Sequence, residues 1–254
     1  MNMRRRYTIT DNFFIFKPFI FQRLHVIMKT NLILFFLCLL ALPLFPQNAN
    51  YVKPVYDTVK DAIQDKSSSY YYPRLFKRFQ SLDTTLNQQE YRYLYYGFVF
   101  QKNYKPYDTP PQNQQVSNLL QLKNPKKKDY KKIIKLTAQS LSRFPFNIDQ
   151  LNNRSYAFHM RGKDDVSIKL IKQILDIRNA IKTSGDGKKK ETAYHVITVG
   201  NEYEFLRSYN LVMVSQHSEN KCDYIQLEAN TYGIEGIYFN IEQPYYYLRG
   251  SIKQ

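Results

Sequence analysis

The pattern of apolar and polar positions changes its period about three quarters of the way along the chain. Between residues 55 and 175, apolar residues recur every three or four positions, which is typical of amphipathic helices. After residue 192, apolar and polar residues alternate, which is typical of strands. Helices first and strands later predict an α+β fold. We expect antiparallel helical hairpins in residues 50–183, a basic loop in 184–191, and a small antiparallel β-sheet with one short helix in 192–254.

Helix boundaries in the first part follow from capping residues, glycine and proline. The spacing of Asn87 and Glu90 predicts a capping box, and Gly97 is placed to end the helix that follows. Three prolines predict a loop over residues 102–115. Asp164 is expected to cap a later helix, and Gly162 to end the one before it. The apolar positions of that later helix, all expected to be buried, are Val166, Leu170, Ile171, Ile174 and Leu175.

One helix pair resembles a degenerate tetratricopeptide repeat. Pro145 closes the preceding helix, small Ser155 and aromatic Phe158 lie on the first helix of the pair, and small Ser167 lies on the second. Small residues at such offsets let two helices pack closely. Only one repeat is readable, so an ordinary antiparallel helix pair is the alternative.

The C-terminal part predicts three strands joined by short turns. Alternation centred on His195 indicates extended chain, and Asn201 with Glu204 has the spacing of a second capping box, for the short helix. Strand-like segments follow at 211–215, 222–229 and 237–241. This order predicts an antiparallel meander.

The N-terminal segment indicates export. Residues 32–45 are apolar without interruption, too short to span a bilayer comfortably, and they follow the short basic start at Met28 and Lys29. This predicts a signal peptide over residues 28–49, with residues 1–27 an extension from a mis-chosen start codon. For residues 1–27 the alternative is a genuine basic n-region containing Arg4, Arg5 and Arg6. For residues 32–45 the alternative is a buried core helix. We expect a periplasmic or secreted protein of a Gram-negative bacterium, without a transmembrane anchor after cleavage.

Removal of residues 1–49 leaves 31 Lys and Arg against 20 Asp and Glu, a net charge of +11. Only Cys222 remains, which excludes an internal disulfide. A cluster of seven lysines falls between residues 123 and 135, with one acidic residue among them. Its candidate anion-binding residues are Lys126, Lys127, Lys128, Lys131 and Lys132. A solvated basic loop is the alternative, and export argues against nucleic acid as a partner.

Several longer motifs resemble an uncharacterised secreted family, the domain of unknown function 4919. They include the segment from Asp83 to Gly97, Tyr104-Lys105-Pro106-Tyr107, Phe144-Pro145-Phe146-Asn147, His195-Val196-Ile197 and the segment from Tyr232 to Asn240. The match covers most of residues 70–242. The resemblance implies an exported bacterial protein and supplies no activity, cofactor or catalytic residue.

Catalytic and metal-binding candidates each have a structural alternative. His217, Glu219, Cys222 and Asp223 could be metal ligands, but they span a predicted hairpin and no second His-rich segment follows. His195 near Glu202 could act as a general base, or could simply be a strand residue bonded to its neighbours. The tyrosine clusters could stack on sugars or fill a core. Carboxylate pairs can be imagined as Glu202 with Glu204, or Glu235 with Glu242.

These observations favour a non-enzymatic interaction module that binds an envelope protein or peptide, with no cofactor. Two alternatives stay open. One is a glycan-acting or other hydrolase with a dispersed site, which should show two convergent carboxylates in a cleft. The other is an anionic-surface binder that uses the lysine cluster.

Overall fold

The computed structural model describes residues 51–250. The predicted signal peptide and N-terminal extension therefore lie outside the described residues. The described chain belongs to one compact unit, residues 50–254. None of its described helices combines the length and apolar character that crossing a membrane requires.

The element order is helical first and mixed afterwards, as an α+β fold requires. Within the described residues, seven helices come first: α1 Tyr56–Gln64, α2 Tyr72–Gln80, α3 Gln88–Gly97, α4 Pro111–Leu120, α5 Lys127–Arg143, α6 Ile148–His159 and α7 Asp164–Lys182. The rest of the described chain forms β1 Tyr194–His195, α8 Val199–Ser208, β2 Met213–Glu219, β3 Cys222–Leu227, β4 Gly236–Asn240 and α9 Glu242–Leu248. Short 3₁₀ turns occur at Phe98–Phe100 and Lys190–Thr192.

The sheet has the order β1-β4-β3-β2 and is mixed. β2, β3 and β4 form the predicted antiparallel meander, and the β2–β3 turn uses Asn220 and Lys221, both at positive φ. β1 instead runs parallel to β4, with Tyr194 opposite Phe239. The prediction of a purely antiparallel sheet was therefore wrong in this strand. The chain passes through α8 and the β2–β3 hairpin before it returns as β4, and such a crossover permits parallel pairing.

Helices α4 to α7 pack each against the next, and α3 packs on both α1 and α7. Ser155 on α6 and Ser167 on α7 meet where these two helices pack together, with their hydroxyl oxygens 2.9 Å apart. Both an ordinary helix pair and a tetratricopeptide-like repeat would contain such a contact, so the repeat stays a prediction.

The larger of two apolar clusters in the described residues runs through α1, α2, α3, α6, α7 and α8 and onto the sheet. The smaller cluster lies between α4, α5 and α6. The centre of the larger cluster is aromatic: Tyr91, Tyr95, Tyr96, Phe98 and Phe146 are all buried. Tyrosine hydroxyls connect the two parts of the chain, because Tyr95 donates to Asn201 Oδ1 at 2.9 Å and Tyr104 donates to the Ile197 carbonyl at 2.8 Å. Buried tyrosine hydroxyls usually find such partners, although those of Tyr72 and Tyr91 have none among the described residues.

Three local predictions were wrong. The loop over 102–115 ends early, because Pro111 begins α4 at a position where proline costs no hydrogen bond. Asn201 does not cap α8. The N-cap residue is Thr198, and Asn201 is buried in the first turn of the helix. The side-chain amide of Asn201 forms hydrogen bonds with Tyr95 and Phe146, which are distant in the sequence. Asp164 is the first residue of α7 instead of its cap, and its carboxylate lies against His159.

A second short helix, α9, was also missed, so residues 192–250 contain two α-helices instead of the one predicted. The three consecutive tyrosines 245–247 suggested no helix by pattern. Pro244 is tolerated because it lies in the first turn, where the backbone N–H has no helical partner. The helix is held in place by Tyr247, whose ring packs edge-on against Tyr104 with centroids 5.7 Å apart.

Candidate functional site

The first candidate is the basic face of α5, which we define as Lys127, Lys128, Lys131, Lys132 and Lys135. Positions 128, 131, 132 and 135 follow the i, i+3, i+4, i+7 spacing that places residues on one side of a helix. All five side chains are exposed. No ion pair with any of them occurs within residues 51–250. The face is therefore a stripe of positive charge that nearby acids do not neutralise.

The acidic residue among these lysines, Asp129, uses its carboxylate to bind the backbone. Asp129 Oδ2 accepts the Lys126 backbone N–H at 2.8 Å, which caps the start of α5. Lys126 itself is the N-cap residue, so it lies beside the face without belonging to the helix. Four of the five lysines predicted from the sequence therefore belong to the basic face of α5, and the fifth, Lys126, directly precedes the helix. Leu122, in the turn before α5, is 45% exposed.

The second candidate is the apolar face of α7, which we define as Ile168, Ile171 and Leu175. Their exposed fractions are 64%, 45% and 55%, and their spacing is i, i+3, i+7. The opposite side of α7 buries Leu170, Ile174 and Ile177 in the core. The prediction that Ile171 and Leu175 are buried was therefore wrong. The helices that pack on α7 cover one side of it and leave this second apolar side uncovered.

Charged residues border the apolar face of α7. Arg178 Nε donates to Glu204 Oε1 on α8 at 2.8 Å, and Lys172 pairs with Asp176. Lys169 and Lys182 are exposed and form no ion pair within the described part of the chain. The border therefore carries unneutralised positive charge beside exposed apolar side chains.

The third candidate is a buried pair of carboxyl groups, Glu202 on α8 and Asp223 on β3. Both are almost fully buried. Gln216 Nε2 donates to Glu202 Oε2 at 3.1 Å and to Asp223 Oδ2 at 2.8 Å. Tyr203 donates to the other end of this amide, Gln216 Oε1, at 2.6 Å. The second oxygens of both carboxyl groups have no partner in the described residues.

Burial, together with the neighbouring charge of Asp223 and a hydrogen bond with it, raises the pKa of Glu202 to about 9. Glu202 therefore keeps its proton at neutral pH. Such a pair can act as an acid beside a base, but here both members are covered by α8 and the sheet. The nearby phenol of Tyr107 is partly exposed, and burial, with the charges of Asp223 and Glu202, raises its pKa.

The carboxylate pairs imagined from sequence are not formed. Glu202 and Glu204 are both buried on α8, but Glu204 binds Arg178 while Glu202 faces Asp223. Glu235 lines an open cavity of about 390 Å³, beside Tyr224 on β3 and Asn230 in the loop that joins β3 to β4. Glu242 instead accepts a hydrogen bond from Lys221 at 3.2 Å.

Strand alternation separates the proposed metal ligands. His217 lies opposite Tyr224, and Asp223 lies opposite Ser218, so the side chains of His217 and Asp223 are on different sides of the sheet. Within the described residues, no group of three or more His, Cys, Asp or Glu side chains could hold a metal ion. Cys222 is buried, and its burial, together with the charge of Asp223, raises the thiol pKa to about 11.

His195 is buried on β1. Burial lowers its pKa to about 4, and the positive charge of Lys53 lowers it too. Its Nδ1 has no hydrogen-bond partner in the described chain. The negative charge of Glu242 raises the pKa of His195 in part, whereas Glu202 interacts with Asp223. The structure therefore does not assemble the His195–Glu202 pair.

Sequence reasoning missed the Glu202–Asp223 pair, although one signal pointed to it. Asp223 occupies the same side of β3 as Ile225 and Leu227, so the alternation places a carboxylate on a buried face. A charged residue on such a face needs a partner.

Comparison with known proteins identifies the family. Residues 57–249 match the model of DUF4919, a domain of unknown function, and the chain therefore belongs to this family. No curated protein and no solved structure matches the chain.

Proposed function

We propose that this chain is an exported, non-enzymatic interaction module of the bacterial cell envelope. The observation that carries the proposal is the apolar face of α7, where Ile168, Ile171 and Leu175 are about half exposed. Exposed apolar side chains aligned on one helix are a feature of surfaces that bind other proteins. The apolar run at residues 32–45 supports the export part of the proposal.

The expected partner is an amphipathic segment of an envelope protein with an apolar ridge and acidic flanks. The ridge would cover the apolar face of α7, and the acidic flanks would meet Lys169 and Lys182, which have no ion-pair partner in the described residues. The helix pair α6–α7, with its close Ser155–Ser167 contact, would present this face as a tetratricopeptide-like hairpin.

A hydrolase is favoured less by the geometry. Its best candidate pair, Glu202 and Asp223, is covered on all sides that the structure describes, with exposures of 0% and 2%. Catalytic carboxyl groups must reach the substrate.

The test is a pull-down with purified residues 50–254 from the organism's own periplasmic and envelope fractions, analysed by mass spectrometry at low and high salt. The variant I168S/I171S/L175S should lose a protein that the unsubstituted chain retains. The matched control V212S/V214S/L248S removes three other exposed apolar side chains and should retain it. Equal retention by all three proteins would contradict the proposal, and light scattering would show whether the face instead joins two copies of the chain.

A further inference from the structure

We propose that the basic face of α5 is a docking surface for an anionic phospholipid membrane. This goes beyond the proposed function, because it concerns a different helix and a partner of different chemistry. The face carries Lys127, Lys128, Lys131, Lys132 and Lys135 over about 12 Å of helix.

The lysines work against the stability of their own helix. Like charges at i, i+3 and i, i+4 repel each other, as Lys128 does with Lys131 and Lys132. Lys127 and Lys128 also lie in the first turn, where the helix dipole disfavours positive charge. No ion pair within residues 51–250 offsets these costs. A negatively charged partner would reverse both effects.

The residue type of the cations in this face also bears on its partner. Arg78, Arg143, Arg178 and Arg207 each form an ion pair with an acidic side chain of the chain itself. The basic face of α5 contains lysine alone. Arginine is the residue suited to two-bond recognition of a particular carboxylate or phosphate, whereas lysine acts as a mobile point charge. The face is therefore suited to a diffuse anionic surface more than to one defined anion.

Two further features favour a membrane over a soluble polyanion. The stripe lies along the outer side of a single helix, so all five lysines can approach one plane together. Leu122 lies in the turn that leads into α5 and is 45% exposed, close in sequence to Lys126. An exposed apolar side chain next to clustered lysines can insert between lipid headgroups, while the lysines remain at the charged surface.

The experiment measures binding of residues 50–254 to vesicles by co-sedimentation. Residues 50–254 form one compact unit that contains all the residues of the main apolar core. They also leave out the apolar run at 32–45, which would bind lipid by itself. The vesicles contain phosphatidylglycerol and phosphatidylethanolamine, and vesicles of phosphatidylcholine serve as the neutral reference. We expect binding to the anionic vesicles alone, with a strong decrease at high salt.

The decisive comparison uses two variants of equal net charge. K127Q/K128Q/K131Q/K132Q/K135Q removes the face, and K66Q/K77Q/K102Q/K105Q/K188Q removes five exposed lysines elsewhere. Each lysine near an anionic membrane contributes about fivefold in binding, so the first variant should bind at least about tenfold more weakly. The second should bind within about threefold of the unsubstituted chain. Circular dichroism would verify that both variants are folded.

Several results would overturn the proposal. One is an equal loss of binding in both variants, which would show that net charge alone is responsible. Another is loss of retention on a heparin resin by the first variant while no protein binds the vesicles, which would assign the face to a soluble polyanion. A third is displacement from the vesicles by inorganic phosphate but not by chloride at equal ionic strength, which would assign it to free phosphate.

Discussion

The carboxyl groups of Glu202 and Asp223 accept hydrogen bonds from the same amide nitrogen, Nε2 of Gln216, at 3.1 and 2.8 Å. Two buried carboxyl groups this close cannot both be ionised without a large cost, so the pair holds a proton. The second oxygen of each, Glu202 Oε1 and Asp223 Oδ1, has no partner among the described residues. A proton on Glu202 can satisfy one of them. The pair therefore links the stability of the fold to pH.

The first prediction concerns that linkage. Glu202 has a pKa of about 9 in the folded protein and near 4.5 when unfolded, so folding retains a proton between these values. Stability should therefore fall as pH rises from about 4.5 to 9, by at most about 1.4 kcal/mol per pH unit. E202Q keeps a hydrogen-bond donor and should remove this slope. Urea unfolding between pH 7 and 8.5 measures it.

The buried histidine opposes this effect at lower pH. His195 has a folded pKa of about 4, below the ordinary value of 6.5, so its contribution to stability rises with pH between these values. The two slopes oppose each other between about pH 4.5 and 6.5, and E202Q should reveal a rise there. The control E235Q changes an exposed carboxylate and should behave like the unsubstituted chain. An unchanged slope above pH 7 in E202Q would contradict the prediction.

The two Asn-x-x-Glu segments show what a local pattern can and cannot predict. Asn87 and Glu90 form the predicted capping box, with both reciprocal hydrogen bonds present. Asn201 and Glu204 have identical spacing and form none. The side chain of Asn201 instead accepts a hydrogen bond from the Tyr95 hydroxyl and donates one to the Phe146 carbonyl. These partners are 106 and 55 residues away in the sequence. Spacing describes only local competition, so these tertiary partners could not be predicted.

The same reason limits prediction of the candidate sites. The amphipathic helices, the antiparallel meander and the lysine cluster follow from local patterns, so the sequence alone was sufficient to predict them. The Glu202–Asp223 pair and the apolar face of α7 depend on which helix side is covered by another element. A periodic pattern shows that Ile171 and Leu170 differ in direction, but it does not show which of them meets the core.

The second prediction uses this difference between the two asparagines. N87A removes an exposed cap and should lower the free energy of unfolding by about 1 kcal/mol. N201A should cost more, because it leaves the buried Tyr95 hydroxyl without its acceptor and opens a small void, about 2–3 kcal/mol in total. Chemical denaturation of both variants measures the difference. Equal costs would indicate that Asn201 acts only as a local helix-terminal residue.

The third prediction compares two glycines at helix ends. A Cβ at Gly97 would lie 3.0 Å from Ile63 Cγ2 and 3.3 Å from Tyr72 Cδ2, both buried side chains. G97A should therefore destabilise the protein by about 1–2 kcal/mol. A Cβ at Gly200 has only Thr198 Oγ1 within 4 Å, at 3.9 Å. G200A lies in α8 and should be neutral or stabilising by up to about 1 kcal/mol. Thermal unfolding should show a lower Tm for G97A and an unchanged or higher Tm for G200A, and a lower Tm in both variants would contradict the prediction.

The fourth prediction separates size from hydrogen bonding where α6 meets α7. Ser155 is buried, and its hydroxyl lies 2.9 Å from the Ser167 hydroxyl and 3.1 Å from the Ser167 carbonyl oxygen. S155A keeps the small volume and loses the hydrogen bonds, which should cost about 1 kcal/mol. S155L adds volume that would push the two helices apart, which should cost about 1–3 kcal/mol more.

The comparison of these two variants tests whether close approach or polar contact holds the hairpin together. S142L introduces the same leucine at an exposed position of α5 and should change the free energy of unfolding by less than about 0.5 kcal/mol. If S155L costs no more than S155A, the interface has room for a large side chain, and the small residues at 155 and 167 are not required for packing. A larger cost for S155L would show that small side chains at this contact set the distance between α6 and α7, and with it the position of the apolar face of α7.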